Sequence, residues 1–279
     1  MPSIKILLAH AATTLTSHSD SPLLDAEVLL AFVLDKPRTY LRAWCDNMLT
    51  DQQQADFAVL IEQRLQGTPV AYLTGTREFW SRDFKVTSDV LIPRPDTELL
   101  IELSLDLIPK NQAVKLIDLG TGSGIIAVTL AAERPAARVT AVDASLAALA
   151  VAEHNARHHQ LANIEFYQSD WFGGVPPTLF DVVISNPPYI DPDDEHLRQG
   201  DVRFEPKNAL IADNQGLGDI QMIADSARRY LKPAGHLLIE HGYGQQQQVQ
   251  AIFNALHYDK VQSYRDLSGQ PRVTHGQKP

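Results

Sequence analysis

A short motif with two prolines offers acceptors for a flat amino group. Asn186-Pro187-Pro188-Tyr189 follows the apolar run Phe180–Ser185. Two consecutive prolines fix φ and remove two N–H donors, so the turn is stiff and its carbonyl oxygens are available as acceptors. The Asn186 side-chain oxygen and the Pro187 carbonyl can hold the two hydrogens of an NH₂ group while Tyr189 packs on its plane. The motif predicts a site that aims an amide or adenine nitrogen at an electrophilic methyl; the alternative is a plain strand-ending turn.

A glycine-rich loop is the second candidate site. Asp118-Leu119-Gly120-Thr121-Gly122-Ser123-Gly124 lies between a predicted strand and a predicted helix. Glycines let the backbone turn tightly and approach a ligand closely. Asp143 ends the next predicted strand, near the spacing of a ribose-binding acid. These residues fit a nicotinamide cofactor or S-adenosylmethionine, although the G-x-G-x-G spacing disfavours a dinucleotide. The alternatives are a ligand-free turn and, for Asp143, a helix cap.

The elements that must position these motifs alternate between strands and helices after Ala113. The predicted strands are Val114–Ile117, Arg138–Val142, Ile164–Gln168, Phe180–Ser185 and Gly235–Glu240, with two more near Lys260–Tyr264 and Arg272–Thr274. The predicted helices among them are Ile125–Ala132 and Leu146–His158. Such alternation builds an α/β fold with a mostly parallel sheet covered on both faces. Ligands in such folds bind beyond the carboxyl ends of the strands, where both motifs fall.

The N-terminal part of the chain is predicted to be helical. Ser21-Pro22 is a helix start, and Thr50 with Gln53 forms a capping-box pattern. A two-stranded hairpin is predicted next, with its turn at Ser81-Arg82-Asp83. The predicted domains are therefore a helical bundle at 1–75, a hairpin connector at 76–93 and an α/β domain at 94–279.

Composition limits the classes of function. The net charge of −10 disfavours stable binding to a phosphate backbone. No apolar run reaches the roughly 18–20 residues of a membrane span, and the single cysteine, Cys45, cannot form an internal disulfide. His154, His158 and His159 could approach a metal from one helix, but no carboxylate pattern accompanies them, which favours a solvated face. We predict a soluble, cytoplasmic protein without a metal.

The motifs in combination resemble one family. An Asn-Pro-Pro-Tyr turn after an Asp-x-Gly-x-Gly-x-Gly loop is similar to class I methyltransferases that act on planar amino groups. Adding Ile92-Pro93-Arg94-Pro95-Asp96-Thr97-Glu98, the helical N-terminus and the ending Arg265-Asp266-Leu267-Ser268-Gly269 narrows the match. The chain resembles the HemK-type peptide chain release factor N5-glutamine methyltransferases over nearly its whole length.

The resemblance implies a Rossmann-like sheet of seven strands, the last antiparallel, that binds S-adenosylmethionine. It places the cofactor along Asp118 and Gly120 to Gly124, with Asp143 at the ribose, Trp171 beside the adenine and Asn186 close by; ordinary core is the alternative for Trp171. The substrate would be the glutamine of the Gly-Gly-Gln loop of a release factor, held by Asn186, Pro187, Pro188 and Tyr189. The N-terminal bundle would recognise that protein, and methylation would modulate translation termination.

No activating base is evident, so the predicted mechanism uses Asn186 and Pro187 as acceptors that stabilise the transition state without a covalent intermediate. The long polar segment 191–218 is predicted to form part of the protein-substrate surface and to become ordered when the partner binds. Three alternatives stay open: a ribosomal-protein glutamine methyltransferase, an N6-adenine methyltransferase on DNA or RNA, and a non-catalytic adaptor. We predict a monomer.

Overall fold

The computed structural model describes residues 2–279, which form two compact units. One unit comprises the residues up to Thr76 together with Glu195–Phe204. The other comprises Arg77–Asp194 and Glu205–Pro279. Within residues 2–279, no helix combines the length and hydropathy that crossing a membrane requires. The division of the chain into functional domains at 1–75, 76–93 and 94–279 stays a prediction.

The first unit is helical. Its helices are α1 (Ile4–Leu15), α2 (Pro22–Leu34), α3 (Arg38–Ala43), α4 (Asp51–Leu65) and α5 (Val70–Thr74). Pro22 occupies the first turn of α2, where a missing N–H leaves no hydrogen bond unmade. Thr50 and Gln53 form the expected capping box, each side chain accepting from the other's backbone N–H, at 3.2 and 3.0 Å. Leucines of α1 and α2 and Phe57 of α4 form the buried core.

A buried arginine ties the later segment into this unit. Arg64 on α4 donates to Asp25 and to Asp201, both at 2.8 Å, and is only 7% exposed. Asp201 lies in Glu195–Phe204, which contains two short 3₁₀ turns. Losing one partner of a buried ion pair leaves an uncompensated charge. Residues 195–204 therefore supply, through Asp201, one of the two carboxylates that neutralise Arg64 in this unit.

A hairpin opens the second unit. Strands β1 (Thr76–Phe79) and β2 (Arg82–Lys85) are joined by Trp80 and Ser81, with φ of +52° and +56°. Two left-handed residues make the type I′ turn, whose twist matches that of the strands it joins. The turn predicted at Ser81–Asp83 is thus wrong by one residue, because Arg82 and Asp83 already belong to β2.

The main sheet has seven strands. They are β3 (Lys115–Leu119), β4 (Arg138–Asp143), β5 (Ile164–Gln168), β6 (Phe180–Ser185), β7 (Leu231–Glu240), β8 (Asp259–Arg265) and β9 (Pro271–Gln277). Their order is β5-β4-β3-β6-β7-β9-β8, and β9 is antiparallel to both neighbours. The α/β class and the antiparallel last strand are confirmed.

Helices cover both faces of this sheet. They are α6 (Glu98–Leu107), α7 (Ile125–Glu133), α8 (Leu146–His158), α9 (Asp213–Gly216), α10 (Gly218–Tyr230) and α11 (Gln246–Ala255). Shorter 3₁₀ turns lie at Pro95–Thr97 and Lys207–Ala209. Adjacent β3 residues face opposite cores: Leu116 packs with α6 and α7, and Ile117 with α10 and α11. A strand buried on both faces reads as a continuous apolar run, which is why it was recognisable from the sequence.

The strand order brings the two motifs together. β3 pairs with β4 on one side and with β6 on the other, with Leu119 opposite both Val142 and Ser185. The loop after β3, the end of β4 and the turn after β6 therefore meet at one edge. From β3 the chain continues outward to β4 and β5 and then crosses to the other side of β3 at β6. Ligands of doubly wound folds bind at such a switch point.

Candidate active site

A cavity of about 270 Å³ opens at this edge, within the second unit. The predicted site residues that line it are Gly120, Thr121, Gly122, Ser123, Asp143, Trp171, Asn186 and Pro188. Asp118, Gly124, Pro187 and Tyr189 are not among the lining residues. The structure thus brings the glycine loop and the proline turn to one cavity.

The glycine loop leaves room that side chains would fill. Gly120 has φ of +71°, and a Cβ there would meet the Trp171 ring at 3.4 Å. A Cβ on Gly122, at φ of +55°, would point into open space. Gly124 instead lies against Ala152 of α8, where a Cβ would come within 3.0 Å. The first two glycines keep the cavity wall bare, and the third allows close helix packing.

Asp143 holds the loop in place. Its carboxylate accepts from the Gly122 N–H and from the Ser145 N–H, both at 2.9 Å. The Ser145 hydroxyl, rather than Asp143, caps α8 by accepting from Ala148. Asp143 therefore is not needed as the helix cap, and its carboxylate lines the cavity.

Trp171 has an unusual backbone conformation. Its φ is +47°, which a bulky side chain rarely adopts. The Ser169 hydroxyl donates to the Trp171 carbonyl at 2.6 Å and accepts from Gly174 at 2.8 Å, which fixes this conformation. The indole also hydrogen-bonds Asp219 of α10. The ring is partly exposed, packs against the core beside α10 and also lines the cavity, and its place beside the adenine stays a prediction.

Asp118 supports the loop from behind. It is fully buried, and its Oδ2 accepts from the Thr121 hydroxyl at 2.6 Å and from the Ala127 N–H at 3.2 Å. Its Oδ1 has no hydrogen-bond partner within residues 2–279. Burial raises the pKa of Asp118 to about 7, and the two hydrogen bonds only partly oppose it.

This raised pKa predicts how stability depends on pH. The carboxyl binds its proton more tightly when folded, so its contribution is complete below the unfolded pKa of about 4 and is lost as pH rises to about 7. In Asp118→Asn the side-chain oxygen can still accept from Thr121 and Ala127, but the group cannot ionise. The loss of stability with rising pH, which is on the order of 4 kcal/mol, should therefore be absent. Urea unfolding at pH 5 and pH 8 should show a larger fall for the wild type than for Asp118→Asn. Equal falls would contradict the assignment.

The proline turn is anchored on both sides. Asn186 Nδ2 donates to the Thr97 hydroxyl at 3.3 Å, and Asn186 and Pro188 line the cavity. Pro187 is buried. Tyr189 is partly exposed and packs on the core beneath α10 and α11, while its carbonyl accepts from Gln245 at 3.0 Å. The roles assigned to these four residues stay predictions.

The sequence alone indicated no role for several residues of the site. Arg94 and Thr97 line the cavity, and the buried Glu205 pairs with Arg94 and accepts from the Ile92 N–H. Glu240 lies behind Asn186. Two features of the sequence could have drawn attention to these residues: the proline-rich motif around Arg94 and the charged Glu240 at the end of an apolar strand. Neither feature indicates which other side chains these residues contact.

The two histidines of α8 contact each other but do not form a metal site within residues 2–279. His154 and His158 stack with ring centroids 6.5 Å apart, and both are partly or fully exposed. Across residues 2–279, no group of three or more His, Cys, Asp or Glu side chains is arranged to hold a metal.

The sheet order, the glycine loop after its central strand and the Asn-Pro-Pro-Tyr turn after the next define a class I methyltransferase. A methyltransferase from Pyrococcus furiosus has a similar fold: its TM-score is 0.55 at 16% identity, covering 82% of this chain and 99% of that one. The model of the methyltransferase small domain matches residues 96–204, and that of the PrmC N-terminal domain matches residues 7–75.

Relatives similar over their whole length identify the family. The release factor glutamine methyltransferase of Salmonella typhimurium is 49% identical over 96% of each chain. That of Shewanella oneidensis is 47% identical over 96% of this chain and 94% of its own, and that of Escherichia coli is 45% identical over 92% and 93%. The chain belongs to the release factor glutamine methyltransferase family.

Proposed function

We propose that this chain transfers a methyl group from S-adenosylmethionine to the side-chain amide nitrogen of a glutamine in a peptide chain release factor. The observation that carries the proposal is that Asn186 lines the same cavity as the glycine loop and Asp143. The full-length relatives, which are named for this activity, support the substrate. They favour it over a ribosomal protein, over adenine and over a non-catalytic adaptor.

The residues of the cavity fit S-adenosylmethionine. The bare backbone at Gly120 and Gly122 leaves space beside the Trp171 ring, and that ring offers a flat face for adenine. The Asp143 carboxylate has spare lone pairs for ribose hydroxyls after accepting from two backbone N–H groups. When bound here, S-adenosylmethionine supplies an electrophilic methyl group.

The chain's own residues hold the nucleophile. An amide nitrogen is a poor nucleophile because its lone pair is delocalised into the carbonyl. The Asn186 oxygen accepts one hydrogen of the substrate NH₂ and the Pro187 carbonyl accepts the other. As the substrate nitrogen takes up the methyl group, leaving a neutral thioether on the donor, the nitrogen would become positive and its hydrogen bonds to Asn186 and Pro187 would strengthen, which would stabilise the transition state more than the ground state. The positive nitrogen would then give a proton to solvent water, which leaves the neutral N-methyl amide.

Asp143→Ala tests the cofactor part of this proposal. Losing hydrogen bonds to a charged group costs roughly 1.5–3 kcal/mol, so the Kd for S-adenosylmethionine should rise about ten- to a hundredfold in isothermal titration. Asp106→Ala, an exposed change on α6, is the matched control and should leave the Kd unchanged. An unaltered Kd for Asp143→Ala would remove this residue from the cofactor site.

Mass spectrometry of the substrate tests the whole proposal. A release factor incubated with the enzyme and S-adenosylmethionine should gain one methyl group on a glutamine, located by peptide fragmentation. A release factor with that glutamine replaced by alanine should gain none. Methylation of an adenine oligonucleotide or of a ribosomal protein in its place would overturn the proposal.

Two further features follow if the substrate is a translation factor. The enzyme then acts in the cytoplasm, because release factors work there. The N-terminal helical unit and segment 191–218 then recognise the body of the release factor outside the glutamine loop.

A further inference from the structure

A buried carboxyl lies behind the clamp, the pair of acceptors formed by the Asn186 side-chain oxygen and the Pro187 carbonyl. Glu240, the last residue of β7, is 1% exposed, and its Oε2 has no hydrogen-bond partner within residues 2–279. β7 pairs with β6 so that Ile239 is opposite Ser185, which places Glu240 beside Asn186. Burying an ionisable group without full partnering is unfavourable, and such groups cluster at functional sites.

Thr97 links this carboxyl to the clamp. It directly precedes α6 and is fully buried, yet its hydroxyl makes no capping hydrogen bond to the helix. The hydroxyl instead accepts from Asn186 Nδ2 at 3.3 Å and hydrogen-bonds the Glu240 carboxyl. The amide of Asn186 also hydrogen-bonds Glu240. Three side chains, from the residue before α6, the turn after β6 and the end of β7, thus share one network at the back of the cavity.

The direction of these hydrogen bonds follows from counting hydrogens. An ionised carboxylate can only accept, so Thr97 must donate its single hydrogen to Glu240. The Thr97 oxygen can then only accept from Asn186, which turns the amide nitrogen of Asn186 away from the cavity. The Asn186 oxygen is left facing the cavity as an acceptor, which is the orientation that a substrate NH₂ requires.

We propose that Glu240, acting through Thr97, is a positioning residue that keeps the Asn186 oxygen turned toward the substrate amide. The inference rests on the proposed function and adds the group that sets the polarity of the clamp. A protonated Glu240 can donate to Thr97, whose hydroxyl can then donate to Asn186. The amide can then turn its oxygen away from the cavity and offer its NH₂ to the substrate, where two donors repel each other.

The charges around Glu240 bring this change into the neutral pH range. Burial, with a smaller contribution from Asp96, raises the pKa of Glu240 to about 7, although the charge of Arg272 and the hydrogen bonds oppose this rise. Tyr189 also faces this carboxyl, and burial together with the charge of Glu240 raises the pKa of its phenol, so Tyr189 stays neutral. Glu240 is therefore the group of this cluster that titrates near pH 7.

Turnover as a function of pH tests the proposal. In the wild type kcat should rise as pH increases through about 7, while in Glu240→Gln this limb should disappear. Thr97→Val, which keeps the shape but removes the hydroxyl, should lower kcat about ten- to a hundredfold with little change in the Kd for S-adenosylmethionine, as for other residues that orient a reacting group. Thr97→Ser restores the hydroxyl and should restore kcat. An unchanged pH profile in Glu240→Gln, or wild-type kcat in Thr97→Val, overturns the proposal.

A measurement without turnover separates this inference from the proposed function. The side-chain NH₂ signals of Asn186 in a ¹⁵N-labelled spectrum, identified by their absence in Asn186→Ala, should shift with a midpoint near pH 7 in the wild type and stay constant in Glu240→Gln. In Thr97→Val only the smaller shift that comes from the direct hydrogen bond between Asn186 and Glu240 should remain. Signals that titrate identically in the wild type and Thr97→Val overturn the relay even if no methylation is found. A normal titration with no methylation of release factors rejects only the proposed function.

Discussion

Replacing Asn186 with alanine is expected to lower kcat for methylation about 100- to 1000-fold, with a much smaller change in substrate KM. The variant removes one acceptor that acts as charge develops on the substrate nitrogen, and losing one such preorganised hydrogen bond costs about this much in other enzymes. Steady-state methyl transfer to a release factor, measured by the mass of the modified peptide, provides the rates.

Two variants serve as comparisons for Asn186→Ala. Asn111→Ala changes an exposed asparagine before β3 and should leave the rate unaltered. Asn186→Asp keeps the oxygen but puts a second carboxyl next to Glu240, so it should also lose activity through repulsion. Near-normal turnover in Asn186→Ala would mean that the turn after β6 does not hold the reacting amide.

Replacing Gly216 with alanine is expected to disturb the clamp from outside the cavity. Gly216 has φ of +78°, and a Cβ there would lie 2.7 Å from the carbonyl carbon of Tyr189 and 2.8 Å from Gln245 Nε2. Relieving both clashes requires the backbone at Tyr189 to move, and a displacement of about 1 Å can reduce a rate about a hundredfold. The added atoms and the positive φ should also lower the free energy of unfolding by roughly 1–3 kcal/mol.

Gly244→Ala is the matched control for Gly216→Ala. Gly244 lies in the neighbouring loop before α11, and a Cβ there meets no atom within 4 Å. It should keep both its rate and its urea midpoint. If Gly216→Ala also behaved like the wild type in both measurements, the packing of Gly216 beneath Tyr189 would have no bearing on the reaction.

The features that were predicted correctly depend on residues that lie close together in the sequence. The strand before Asp118 and the helix after Gly124 appear as apolar runs around a glycine cluster, so both the turn and its edge of the sheet were predictable. The capping box at Thr50 is local in the same sense. These features need no knowledge of the rest of the chain.

The parts that were missed depend on contacts between distant residues or on unusual torsions. Thr97 and Glu240 are far apart in the sequence. The pairing of β7 with β6 brings Glu240 to Asn186, and Thr97 meets the same side chain from the turn before α6. The hairpin turn was misplaced because Trp80 takes a left-handed φ that its residue type does not suggest. Likewise, nothing in the sequence indicates that Arg64 pairs with Asp201.

The ion pair between Arg64 and Asp201 limits how the chain can be divided into fragments. A fragment ending at Thr76 contains every helix of the first unit but not Asp201, so it leaves the buried guanidinium with Asp25 as its remaining carboxylate. The missing piece, Glu195–Phe204, lies in the sequence between two stretches of the second unit. Cleaving a single peptide bond therefore cannot yield either unit as a complete fragment. Exchanging either unit between relatives therefore requires replacing two separate stretches of sequence.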